Sequence, residues 1–548
     1  MDRQETTRRF QLLQSQIAGG KFHVAPHLLE DFERSFARVA LAADGLVDES
    51  TLDGRVRTSL LAVAYMADRQ EWKDAISLKK IQEVYFERLA NMFGQPYELM
   101  RKANADPYRF AGWFASDQTR VKETLQAIDE FVEGTHEFWE NIADPTWIHL
   151  EDSQDTKAVF AGEIFPDGRY NVVSSTGIYF DITLLPDPFL KITPVLSHMD
   201  EAERVQEVLR LGLQAMAYRD LAVTDLAVPL VAVLPDRHSL QNGYKEFVHH
   251  SALRDTLRHA LTLFGRLFSD IDELVDFLKH FKSSSDIASA LVRPNELVFA
   301  TEWEGDLPSH IDRYLLENGS KLNITHPGQA VFLQLVTRFS QANDSFQRSR
   351  ELRATPVVRA ETSWLWFNWM LRNNALADDP EAIVGLHLAR ALATAVKTEI
   401  SWLGNVPPAA LLEIRKEGAL EEIREIMGTG IRDLVAACPD NFHRTGDKVV
   451  DNLFGAFRDH EVKLKELRAK KWKFAGIDVG SFLVVGGIEL TAAITGLPLF
   501  GAAAATASRL GVVPTAKELN SKLSQIRGES KAVKSTGIGI LFKHHRNV

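Results

Sequence analysis

Apolar residues spaced three and four apart recur along most of this chain, and that spacing commits it to helices that pack through one face. LLEDFERSFARVALAAD, RVRTSLLAVAYMADRQEW, SLKKIQEVYFERLANMF and DQTRVKETLQAIDEFVEGTHEFWENI carry the pattern through the N-terminal part. Ser77 stands where an N-cap belongs. The pattern returns beyond Pro308 in HPGQAVFLQLVTRFSQANDSFQRSRELR and PEAIVGLHLARALATAVKTEISWL. In PPAALLEIRKEGALEEIREIM, Pro407 and Pro408 fall in a first turn, where a missing N–H costs little.

The texture changes near Asp152. KAVFAGEIF and RYNVVSSTGIYFDITLL are rich in β-branched and aromatic residues, and the PDGR between them predicts a β-hairpin. A helix is expected to start at Asp200, PLVAVLP reads as a short buried strand, and ELVFATEW reads as a further one. The fold class that follows is mainly α (α+β). Its expected parts are an N-terminal helical domain over 1–150, a mixed α/β section with the hairpin over 151–305, a helical domain over 306–460, and a basic C-terminal module over 461–548. A chain of 548 residues is too long for one hydrophobic core, which supports several domains.

The apolar share of 45% and charged share of 25% exclude disordered and collagen-like classes. A single cysteine, Cys438, excludes an internal disulfide framework and a multi-thiolate zinc site. The first twenty residues or so are polar and hold no apolar signal core, which predicts a cytoplasmic protein, bacterial by default. No GxxxxGK[ST], GxGxxG after a strand or GxSxG occurs, so no cofactor is expected. The HEFWE string at His136 lacks the second histidine of a metalloprotease helix and reads as a solvated face.

Charge is distributed unevenly. Residues 463–548 carry 14 Lys and Arg against 5 Asp and Glu, whereas the residues before them carry 49 against 69. A basic tail on an acidic body addresses anionic lipid or nucleic acid, or docks onto that body. Within the tail, 476–513 holds only Asp478, Glu489 and Arg509 as charges, and 490–508 is a run of 19 uncharged residues. That run approaches the ~20 needed to cross a bilayer. Glu489 and Pro498 interrupt the apolar character, so a close-packed helical hairpin rich in glycine and alanine is the better expectation. Gly476 and Gly480 are spaced as GxxxG, which lets helices approach closely, and Lys470, Lys471 and Lys473 beside them favour an anionic surface. These five residues are the candidate interaction site, with the inner membrane as one surface for peripheral contact. At the end of the chain, Ile538, Ile540, Leu541 and Phe542 are expected to dock on the body.

Three further clusters invite chemical readings. Trp364, Trp366, Phe367 and Trp369 fill a core or form an interface. Asp181 and Asp187 flank the end of the second strand, yet only Lys191 stands near, without the acid-x-lysine spacing of a metal-dependent nuclease, so Asp187 reads as a turn residue before Pro188. In HHSALRDTLRHALTLFGRLF, Arg254, Asp255 and His259 form an arginine, a polar residue, three free positions and a histidine. That string resembles the motif of HEPN ribonucleases, a resemblance covering six residues. It implies a metal-independent ribonuclease in which His259 serves as general acid/base at an RNA 2′-OH and Arg254 stabilises phosphate charge, usually across a dimer. As a plain helix, the same residues put Leu253, Leu257 and Leu261 inward. The chain thus reads first as a non-enzymatic interaction or effector protein whose basic module engages a protein partner, a second copy or an anionic membrane, with stress or phage defence as a setting. A ribonuclease acting on RNA is the alternative.

Overall fold

The computed structural model describes residues 3–20, 22–166, 171–236, 240, 242–373, 380–394, 406–437, 442–474, 477–478 and 531–545. Helices dominate it, and the one extended sheet has four strands. Chain contacts divide it into two units, one of Met1–Glu87 and Gly134–Gln154, the other of Arg88–Glu133 and Asp155–Val548.

The first unit is mainly helical, with an isolated antiparallel bridge between Leu41 and Val47. Phe10, Leu13, Phe32, Val56 and Leu60 close its core from helices Arg3–Ala18, Pro26–Phe36 and Gly54–Ala75. Asp53 caps the third of these by accepting from the Val56 amide. Arg69 is held by Glu151 and Asp152 at 2.9 and 2.6 Å. Ser77 caps helix Leu78–Lys102 as its sequence implied, accepting from the Lys80 amide at 3.2 Å.

The second unit is built on a sheet whose strands are all parallel: β1 (Lys157–Ala161), β2 (Ile182–Pro186), β3 (Val231–Leu234) and β4 (Ala354–Val358), in the order β3-β2-β1-β4. β1, β2 and β3 are buried at every residue, because helices cover both faces of a parallel sheet; an unbroken apolar run such as VAVL is what such burial requires. β4 lies at an edge, where Pro356 can lack an amide without breaking an inner ladder.

The hairpin expected over KAVFAGEIF and RYNVVSSTGIYFDITLL is not formed. β1 and β2 pair in parallel, Lys157 opposite Ile182, and parallel neighbours need a crossover instead of a tight turn. Val172–Thr176 supplies a short helix within that crossover, capped by the Asn171 side chain on the Val173 amide. Burial of the whole segment overrides the strand preference of its valines and threonine. The expected strand in ELVFATEW is also absent. Pro294–Glu296 is a 3-10 turn, and the carbonyls that follow accept from side chains: Val298 from Gln334 and Trp366, Phe299 from Gln334 and Arg338. The strand in PLVAVLP is present as β3, and Asp200 opens helix Glu201–Met216 with a capping box completed by Glu203.

The β3-to-β4 connection is helical, and its last helix, Pro327–Glu351, lies on β4 and β1. Asn242–Phe264 packs on Pro327–Glu351. Gly328 lets the latter begin against the Leu278 backbone, since a Cβ there would stand 2.2 Å from the Leu278 carbonyl oxygen. Beyond β4, helices Pro408–Lys416, Leu420–Gly428 and Phe442–Trp472 receive the C-terminal helix Gly537–His545. Ile538, Ile540 and Leu541 are buried there, so the expected docking of the chain end is observed, and part of the basic tail rests on the acidic body. Lys543 and His544 both contact Glu413, at 2.8 and 2.9 Å.

Candidate functional site

A parallel sheet aligns the C-terminal ends of its strands along one edge, and ligands of such sheets bind beyond that edge, above all where the strand order reverses. Here the chain leaves β1 toward β2 and β3, then returns to the other side of β1 as β4, so the reversal falls between β1 and β4. That crevice is closed. Gly162, at φ +84°, sits so tightly that a Cβ would lie 2.9 Å from both Ser363 and Val358, and the Ser363 hydroxyl donates to the Gly162 carbonyl at 2.8 Å.

Open space lies one residue further on. Glu163, Ile164 and Phe165, the chain that leaves β1, line a cleft of about 710 Å³ together with Tyr108 and Arg109 of helix Pro107–Ala115 and Arg210 of helix Glu201–Met216. Its volume falls within the roughly 300–1,000 Å³ usual for small-molecule sites. Tyr108 and Ile164 are exposed and give it an apolar side. Arg210 is fixed by Glu207 and donates to the Gln214 side chain at 3.1 Å.

Behind Glu163 stands a buried cluster of charges drawn from separate elements. Leu185-Pro186-Asp187 ends β2 and Leu234-Pro235-Asp236 ends β3, so each of these strands delivers an aspartate to the same edge. Asp187, fully buried, caps helix Pro188–Leu196 by accepting from the Leu190 amide at 2.8 Å, the turn role its sequence implied. Asp236 accepts from the Arg348 Nη2 at 2.7 Å, and Asp344 accepts from the same nitrogen at 2.8 and 3.0 Å. Asp344 also accepts from the Tyr244 hydroxyl at 3.2 Å. Arg348 is 2% exposed, and its Nη1 is buried without a hydrogen-bond partner.

Lys191 enters from helix Pro188–Leu196 and donates to the Glu163 carbonyl oxygen at 3.3 Å. It forms no ion pair among the described residues, because the nearby carboxylates of Asp236 and Asp344 are taken by Arg348. Burial lowers its pKa, and the Arg348 charge lowers it further, against the pull of Asp236, Asp344 and Glu163. Burial raises the Tyr244 phenol, and the Asp344 charge adds to the rise. Burial works to lower the Arg348 pKa, but Asp344 and Asp236 outweigh it and hold the guanidinium charged. Among the described residues no group of His, Cys, Asp or Glu is arranged to hold a metal ion.

Of the residues singled out from sequence, Asp187 and Lys191 fall in this cluster and the others fall elsewhere. His259 is 2% exposed in the core, its Nε2 at 2.8 Å from the Glu296 carbonyl and its ring against Trp369, Trp366 and Phe339. Burial lowers its pKa, opposed by the Glu296 carbonyl. Arg254 is exposed on the same helix, and buried Asp255 between them accepts from Asn343 at 2.8 Å. Arg254 and His259 therefore do not share a surface within one chain. Trp364, Trp366, Phe367 and Trp369 are all buried in the core that holds His259. Lys470 and Lys471 close helix Phe442–Trp472, and Lys473 begins a two-residue strand paired with Ile477–Asp478. Gly476, Gly480 and most of 476–513 lie outside the described residues. Among the described residues no helix is long and apolar enough to cross a membrane.

Glu163, Asp236, Tyr244, Asp344 and Arg348 were not evident from sequence. One signal for them exists, the twice-repeated Leu-Pro-Asp after a buried apolar run, which marks two strand ends of one sheet. Compared with family models, characterised proteins and solved structures, the chain matches none.

Proposed function

We propose that this protein binds a small polar molecule in the cleft at Glu163 and couples that binding to an interaction role. The observation that carries the reading is the position of the cleft, at the C-terminal edge of an all-parallel sheet and backed by buried charges. Mixed walls of this kind, an apolar side with a few fixed polar groups, suit a compound of small size with both an apolar and a charged part. A fragment library screened by ligand-observed NMR is expected to yield binders whose signal is lost in Ile164→Trp, which fills the cleft from an exposed position. At a hundredfold excess over Kd such a ligand stabilises the folded chain by about 2.7 kcal/mol. A screen in which no binder depends on the Ile164 side chain overturns the reading.

The uneven charge supports a second part of the proposal, that the basic C-terminal module engages an anionic membrane or a partner. Because Lys543 and His544 are already paired with Glu413, that contact falls to the lysines before 476–513. The full chain is expected to float with phosphatidylserine vesicles and to lose this on deletion of 474–513; no flotation of either removes the membrane version. The ribonuclease alternative has the less favourable geometry, because His259 would have to leave a core of three aromatic rings to meet RNA.

A further inference from the structure

We propose that the amine of Lys191 captures a small aldehyde or ketone admitted by the cleft, as a reversible Schiff base; this rests on reading the cleft as a ligand site. Four observations converge on the amine. It stands beyond the C-terminal edge of the sheet, on the first helix after β2. Its one hydrogen bond among the described residues, 3.3 Å long, goes to the main chain of Glu163, a residue that lines the cleft. Of the three acids that act on it, Asp236 and Asp344 are turned to Arg348, and the Glu163 carboxylate forms no ion pair with it. The residue also keeps part of its surface, unlike Arg348 and Asp187.

A lysine amine attacks only in its neutral form, and desolvation beside a second cation is the usual means of populating that form. Burial and the Arg348 charge supply both here. In the first step the nitrogen lone pair forms a C–N bond to the carbonyl carbon as the C=O π bond breaks, and the proton released by nitrogen moves to the oxygen to give a neutral carbinolamine. A proton from solvent then lets the hydroxyl leave as water, which breaks the C–O bond and leaves a protonated C=N. Water reverses both steps, so no oxidant or reductant is consumed. The apolar side made by Tyr108 and Ile164 accommodates the carbon chain of the ligand.

The test uses the full chain with glyceraldehyde and cyanoborohydride, which reduces any imine to a stable adduct, followed by peptide mapping. Lys191 is expected to label about tenfold or more faster than exposed Lys80 and Lys279, because more of its amine is neutral below the ordinary lysine pKa. Unfolding in urea is expected to abolish the difference. Labelling of Lys191 in the native chain no faster than in urea overturns the proposal, and it needs no variant whose folding is in doubt. Ile164→Trp is expected to slow Lys191 several-fold and leave Lys80 unchanged. Fast labelling of Lys191 in both chains supports the reactive amine but overturns the cleft as its entrance, which separates this inference from the binding reading it rests on.

Discussion

Arg348→Ala is expected to cost the second unit about 3–5 kcal/mol of stability, the range for removing one partner of a buried ion pair. The guanidinium is 2% exposed and meets two carboxylates from different elements, Asp236 at the end of β3 and Asp344 one turn earlier on its own helix. Its removal takes away the guanidinium that both acids share, within a cluster that also holds Glu351. Arg348→Lys is expected to recover part of the loss, because one nitrogen, Nη2, makes every bond to the two acids and an ammonium also offers several donors from one atom. The triple variant Arg348→Met, Asp236→Asn, Asp344→Asn is expected to regain most of the loss, since the penalty comes from unpaired charge and not from lost attraction. Urea midpoints followed by tryptophan fluorescence distinguish these outcomes. A loss under about 1 kcal/mol in Arg348→Ala would place the cluster with solvated surface pairs.

The parts of this fold legible in sequence are those that local periodicity specifies. Amphipathic spacing located the helices, Ser77 and Asp200 located starts, and the unbroken apolar run of β3 located a buried strand. Pairing direction was not legible. PDGR is good turn chemistry, but β-propensity cannot say that β1 and β2 are parallel, and the helix at Val172–Thr176 exists because the packed sheet buries it. The site was hidden for a related reason. Glu163, Asp236, Asp344 and Arg348 are scattered over nearly two hundred residues, and only the sheet order brings their elements together. Conversely, Arg254 and His259 are close in sequence, yet five positions along a helix turn them to different sides, one to solvent and one to the core. The tryptophan run was read through composition, and burial alone decides what such a run does.

Asp181→Asn is expected to cost about 3 kcal/mol near neutral pH, and its effect should disappear in acid. Asp181 stands at the opposite edge of the sheet, just before β2, and receives Arg415 and Arg424 at 2.8 Å each. The Thr156 amide and hydroxyl donate to the same carboxylate at 2.9 and 2.7 Å, which ties the start of β1 to it as well. Arg415 also donates to the Asp181 carbonyl at 3.0 Å, so one aspartate pins helices Pro408–Lys416 and Leu420–Gly428 to the sheet. Burial pushes its pKa up, but the bonds from Thr156 and Arg424 prevail and hold it below the ordinary value of 3.8. A carboxyl whose folded pKa is depressed contributes stability that is complete above its unfolded pKa and is lost as pH falls through the folded one. The gap between wild type and Asp181→Asn should therefore be constant from about pH 5 upward and close below about pH 4. Hydrogen exchange adds a spatial check: the variant should lose protection first in Pro408–Lys416 and Leu420–Gly428, with β4, the edge strand two positions from β2, unaffected. A gap that persists at pH 2 would mean that the side chain acts through packing and hydrogen bonds alone, with the two arginines held by the carbonyls around them.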